Sequence, residues 1–162
     1  MELNEPTIEQ RDEQPYVAMS ASVTMHGFGV LDGLYAEVFG WLGERGIAAV
    51  GPPFVRYLVI DMENLLEIEA AVPVSSEVAV DDGMVSDALP AGSYVTLAYV
   101  AKTGEEHIAA NAYLQQWAHD HGLEWKNSVR DGIEQWGGRI EISAAEETDA
   151  GRDTVAAYLM KD

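Results

Sequence analysis

Hydrophobic and polar positions along the chain follow two periods, and the periods succeed one another in the same order twice. The run "YVAMSASVT" (16–24) follows Pro15 and alternates loosely, which predicts a strand. In "VLDGLYAEVFGWLGERG" the residues Leu31, Leu34, Tyr35, Val38, Trp41 and Leu42 fall at helical spacing. Gly46 suits the C-terminal cap of that helix, and Arg45 in its last turn suits the helix dipole. Past the turn signal "GPP", "FVRYLVID" (54–61) and "LEIEAAVPV" (66–74) read as two more strands. A polar connection, "EVAVDDGMVSDA" (77–88), has room for a short strand. The pattern then restarts. "SYVTLAYVA" (93–101) is a strand, and Thr103 and Glu106 stand at capping-box spacing to open a second helix that Gly122 closes. "GRIEIS" and "DTVAAYLM" (153–160) supply the last two strands.

Sliding the first half along by 76 positions sets Val38 on Leu114, Trp41 on Trp117, Leu42 on Ala118 and Gly46 on Gly122. The expected fold is therefore α+β, a single domain over 1–162 built from duplicated β-α-β-β units at about 7–76 and 89–160. A pseudo-twofold axis would relate the units, with a mainly antiparallel sheet and two long helices on one side. The second half is the longer one: 17 residues separate Gly122 from Arg139, against 10 from Gly46 to Arg56. The extra length holds Trp125 and Trp136 in what reads as a loop, and plugs for the core edge are favoured over a lid.

Charge narrows the partners. Against 28 acidic residues stand nine basic ones, a net charge of −19. Phosphate neutralisation needs Lys and Arg, so direct nucleic-acid binding is excluded, and anionic lipid is repelled as well. The field favours cationic ligands, and it also serves solubility. With no cysteine there is neither a disulfide framework nor a thiolate metal site. The stretch from Gln14 to Leu31 is uncharged, but Gln, Ser, Thr, His and Gly interrupt it, and the acidic start lacks the form of a signal peptide. A cytoplasmic protein without membrane contact is expected.

One acidic residue stands in a short alternating run, "WGGRIEIS" (136–143): Ile140 and Ile142 share one face, and Arg139, Glu141 and Ser143 share the other. The stretches "GPPFVRYLVIDMENLLEIEAAVPV", "LPAGSYVTLAYV", "LQQWAHDHGLEW" and "WGGRIEI" resemble, in order, GyrI-like small-molecule-binding domains, from about Thr7 to Leu159. The resemblance implies two β-α-β-β units with a ligand groove between the halves, and a glutamate pointing into it, matched here by Glu141. Ser143 stands where a tyrosine usually follows, and "AAEETDAG" replaces the usual Asp-Pro turn. In relatives that regulate transcription a DNA-binding module precedes the domain; with about six residues before the resemblance, no such module is expected here.

A carboxylate in an apolar groove needs a cation, a donor or a proton. The candidate ligand-binding residues are Glu141 and Ser143 with the aromatics Tyr57, Tyr94, Tyr99 and Trp117, Met19 as adaptable filler, and Glu69 as a partner carboxylate from the first half. Arg139 is the counter-indication, because pairing with Glu141 would weaken cation binding. The leading function is a stand-alone effector- or xenobiotic-binding protein for apolar or cationic small molecules, with no cofactor and no metal. The resemblance supplies an alternative, a hydrolase of cyclopropane-type genotoxic natural products in which Glu141 and Tyr57 act. It also supplies a second, a gyrase-inhibitor-like role with a protein partner. "HDH" (119–121) sets its two histidines two apart on a helix, pointing away from each other, and "EEH" (105–107) is explained as a helix start.

Overall fold

The computed structural model describes residues 2–25, 27–81, 83–144 and 146–162. Asp82 of the 77–88 connection and Ala145 of "AAEETDAG" lie outside the described residues. The chain runs β1 (Glu2–Leu3), β2 (Thr7–Arg11), β3 (Gln14–Val23), α1 (Leu31–Glu44), β4 (Phe54–Ile60), β5 (Leu66–Pro73), β6 (Val85–Leu89) and β7 (Gly92–Ala101). It continues through α2 (Gly104–Asp120), β8 (Asn127–Arg130), β9 (Ile133–Trp136), β10 (Arg139–Ser143) and β11 (Arg152–Leu159). Every pairing between these strands is antiparallel, in the order β1-β7-β11-β10-β4-β5-β3-β6, with β2 in line with β1 along β7 and the β8–β9 hairpin extending from β4.

The connections force this sheet to curl. β7 and β6 lie near opposite ends of the strand order, yet only Pro90 and Ala91 separate them in the chain. Six strand spacings in a flat sheet come to about 29 Å, whereas the step from Leu89 to Gly92 reaches about 11 Å at most. The two edges therefore approach each other. The far face closes on one apolar cluster that takes Tyr94 from β7, Leu159, Ile140, Phe54 and Ala71 from the strands between, Tyr16 from β3 and Leu89 from β6.

Both helices pack on the other face. α1 sets Val38 and Leu42 against Val17 of β3 and Val72 of β5. α2 sets Ala110 and Leu114 against Val95 and Leu97 of β7. Each helix ends in the same way: Gly46 (φ 68°) and Gly122 (φ 69°) take the left-handed conformation. The next residue returns to the helix, Ile47 N–H to Leu42 O at 3.0 Å and Leu123 N–H to Ala118 O at 2.9 Å, which is the Schellman pattern. At the start of α2, Thr103 Oγ1 accepts from Glu106 N–H at 3.2 Å. The Glu106 carboxylate turns to Lys102 N–H at 3.5 Å, one residue earlier than a capping box would have it. Thr103→Ala should lower stability by about 1 kcal/mol, read as a shift of the urea midpoint at unchanged slope.

The stretch expected to be a loop after α2 contains a hairpin instead. Asn127, Ser128, Val129 and Arg130 are all exposed, so no apolar alternation marks β8. The turn is made by Asp131 (φ 55°) and Gly132 (φ 80°), the pair of positive φ values that a two-residue hairpin demands. Trp125 and Trp136 pack on Tyr158, each with ring centroids 5.1 Å away, and Trp136 is buried. Among the described residues no helix is long and apolar enough to cross a membrane.

Candidate functional site

Since α1 lies over β3 and β5 and α2 over β7, the central strands β4 and β10 run between the two helices. A groove of about 1880 Å³ occupies that space. It is larger than the roughly 300–1,000 Å³ of a common small-molecule pocket. On its floor Glu141 pairs in register with Val55 of β4 and Ala156 of β11, so its side chain shares a face with Val55 and Tyr57.

Glu141 is held from α2. Asn111 Nδ2 donates to Glu141 Oε1 at 2.9 Å and to the backbone oxygen of His107 at 2.8 Å. Asn111 Oδ1 accepts from the Tyr158 hydroxyl, which in turn accepts from Gln115 Nε2 at 3.4 Å. These partners fix which end of the amide is which: two acceptors face its nitrogen and one hydroxyl faces its oxygen. Nearby, the Tyr99 hydroxyl and His107 Nδ1 are 2.9 Å apart, and Phe28 leans over Tyr57 with centroids 6.1 Å apart.

The phenols around Glu141 keep their protons. Burial, and after it the Glu141 charge, pushes Tyr35, Tyr57 and Tyr99 above the ordinary tyrosine value. Burial raises Tyr158 to about 12 although Arg139 works against it. Arg139 lies in a box of aromatic faces, 4.5 Å from the Tyr158 centroid, 4.8 Å from Trp136 and 5.3 Å from Tyr57. Its carboxylate partner is Glu134 at 3.7 Å; among the described residues Glu141 forms no ion pair.

Of the residues expected to bind, Glu141, Tyr57, Tyr99 and Ser143 line the groove. Four do not. Glu69 stands opposite Arg56 in the β4–β5 register and shares its face, where it meets Tyr16 on the far side of the sheet. Tyr94 belongs to that same far-side cluster, its hydroxyl donating to Pro90 O at 2.7 Å. Met19 packs under α1 with Val17 and Leu42. Trp117 packs against the core and stacks on His121 at 4.0 Å. The period-2 rule explains the first two: Glu69 and Tyr94 fall on the parity opposite to Ile68 and Val95.

Asn111, Tyr35, His107 and the supporting Tyr158 were not singled out. A signal did exist for the helix residues, since His107, Asn111 and Gln115 stand four apart and form a polar stripe on α2 beside Ala110 and Leu114. His107 was explained by its place at a helix start, which accounts for the acids before it but not for the ring. Among the described residues no group of three or more His, Cys, Asp or Glu side chains could hold a metal.

The family model described as "GyrI-like small molecule binding domain" matches residues 4–135. The chain belongs to that family of small-molecule-binding domains. No curated protein sequence matches it. In fold it is similar to the C-terminal domain of EcmrR, with 14% identity, a TM-score of 0.73, and coverage of 100% of this chain and 99% of that one. It is similar also to a hydrolase from Listeria innocua, with 12% identity, a TM-score of 0.65, and coverage of 97% and 92%. A third similar structure is SAV2435 bound to tetraphenylphosphonium, at 10% identity, with a TM-score of 0.60 and coverage of 98% and 94%.

Proposed function

We propose that the groove binds hydrophobic organic cations, with Glu141 as the counter-charge and the rings of Tyr57, Tyr99 and Tyr35 as its aromatic walls. The observation that carries this reading is the state of Glu141. Its carboxylate faces the groove and is held by a neutral amide, while the nearby cation Arg139 pairs with Glu134. A cation entering the groove therefore meets a carboxylate that forms no ion pair among the described residues. Each well-placed ring face adds about 0.5–2 kcal/mol for a desolvated cation. The net charge of −19 raises the local concentration of cations at the mouth. That SAV2435 has been seen with tetraphenylphosphonium supports the choice of ligand class. The test is a titration of wild type and Glu141→Gln with tetraphenylphosphonium.

The Asn111 lock gives a subsidiary expectation. Tyr158→Phe removes the hydroxyl that holds Asn111 Oδ1 and frees the amide to turn, so Glu141 loses its fixed pose. Affinity for tetraphenylphosphonium should fall about threefold, on the order of the 0.5–1 kcal/mol of one hydrogen bond, with isothermal titration as the readout.

The two β-α-β-β units are read as copies of one ancestral unit. Support comes from the matched Schellman ends and from a strand order in which β7-β11-β10 meets β4-β5-β3 back to back. A hydrolytic reading rests on the same carboxylate. With Oε1 accepting from Asn111, the other carboxylate oxygen would serve as the base that takes a proton from a water in the groove. Product formation from a strained cyclopropane, abolished in Glu141→Gln, would separate it from plain binding.

A further inference from the structure

Glu141 is one of two charged residues that β10 turns toward the groove; the other is Arg139. A guanidinium carries five N–H donors, and buried donors ordinarily find acceptors. Arg139 is different. Its side chain is 11% exposed and lines the groove. Nε is buried without an acceptor, and the one carboxylate at ion-pair distance among the described residues, Glu134, stands at 3.7 Å, beyond hydrogen-bond reach. Three aromatic rings hold the group in place instead. The rings position this cation at the groove, and among the described residues its Nε has no acceptor and its carboxylate partner stands at ion-pair rather than hydrogen-bond distance.

The spacing relates it to Glu141. Residues two apart on a strand share a face at about 6.6 Å, so a single ligand can touch both. We infer that Arg139 is a second ligand contact. It takes a planar oxygen acceptor, a carboxylate or carbonyl, on the same molecule whose cationic group lies against Glu141. The inference rests on the cation reading above and narrows it to zwitterionic or acyl-bearing aromatic cations. A free anion does not suit the site, because Glu134 and Glu141 flank Arg139 and the whole chain is acidic; the acceptor has to arrive with its own cation. The planar fork of arginine matches a carboxylate edge in a way that an ammonium does not.

The experiment compares two dyes that share one cationic ring system. Tetramethylrosamine has a bare phenyl substituent, and tetramethylrhodamine has an ortho-carboxylate on that phenyl. Dissociation constants are measured by fluorescence anisotropy at 0.15 M salt, where the Debye length of about 8 Å screens the long-range field. Wild type should bind the carboxylate dye about tenfold more tightly, the value of a hydrogen bond to a charged group. In Arg139→Met the ratio of the two constants should fall to about one, and in Arg139→Lys, which keeps the charge and loses the fork, to an intermediate value. A wild-type ratio of one, or a ratio that neither variant changes, overturns the inference. If Arg139→Met does not fold, the Lys variant decides. Glu141→Gln with the rosamine dye keeps the two ideas apart: should that dye bind both proteins equally, the cation reading fails whatever Arg139 does.

Discussion

Glu141→Gln should weaken tetraphenylphosphonium binding at least tenfold, which is about 1.4 kcal/mol. The substitution is nearly isosteric, and its amide oxygen can still accept from Asn111 Nδ2, so the floor of the groove keeps its shape. What changes is the charge. A carboxylate about 5 Å from a monovalent cation contributes about 3 kcal/mol at an effective dielectric of 20. Part of that is offset by the water both ions give up, which is why the expected net loss is nearer half. Tetraphenylphosphonium has no hydrogen-bond donor, so the loss reads the Coulombic part alone. Equal affinities, with both proteins unfolding at the same urea concentration, would remove Glu141 from the binding reading and leave the aromatic walls as its whole basis.

How far the site was legible depends on how local its signals are. The strands carrying Tyr57, Tyr99 and Glu141 were readable because alternation assigns each residue to a face, and a face is a local property. Both helix ends were readable from single glycines. The helix partners of Glu141 were harder. Asn111 reaches it across 30 positions of sequence, and which side chains of α2 reach toward β10 depends on how the sheet curls. The errors have the same origin. Glu69 looked like a counterpart of Glu141 by residue type, but its register opposite Arg56 puts it on the far face. The β8 strand had no apolar alternation to read, and its "DG" turn was the signal overlooked. In sequence Arg139 stands as a counter-indication, because pairing with Glu141 would weaken cation binding. Its actual company, three rings and Glu134, is assembled from β4, β9 and β11, and no short window contains it.

The largest expected loss of stability lies on the other face of the sheet, in Arg56→Met. Arg56 is 7% exposed and Glu69 5% exposed, and the Tyr16 hydroxyl joins them. Arg56 donates to Tyr16 Oη at 2.8 Å, to Gly137 O at 3.0 Å and to Ala88 O at 3.3 Å, while the Tyr16 hydroxyl donates to Glu69. Arg56 forms its ion pair with the exposed carboxylate of Asp87 at 3.8 Å and acts on Glu69 through the Tyr16 hydroxyl and its positive field. Removing the guanidinium leaves the buried Glu69 carboxylate without that compensation, which costs about 3 kcal/mol. Burial already holds Glu69 above the ordinary carboxylate range, against the pull of Tyr16 and Arg56. A raised pKa in the folded state means that the folded protein binds the extra proton. The contribution of Glu69 is therefore complete below its unfolded pKa and is lost as pH rises through the folded one. Without Arg56 the folded value climbs further, so the deficit of the variant should be larger at pH 8 than at pH 5. Urea unfolding at the two pH values measures it. Adding Glu69→Gln to Arg56→Met should recover much of the loss at pH 8, because a neutral amide needs no counter-charge. A deficit that is the same at both pH values and unmoved by the second substitution would mean that Arg56 acts through packing, and that the buried charge on Glu69 costs the fold nothing.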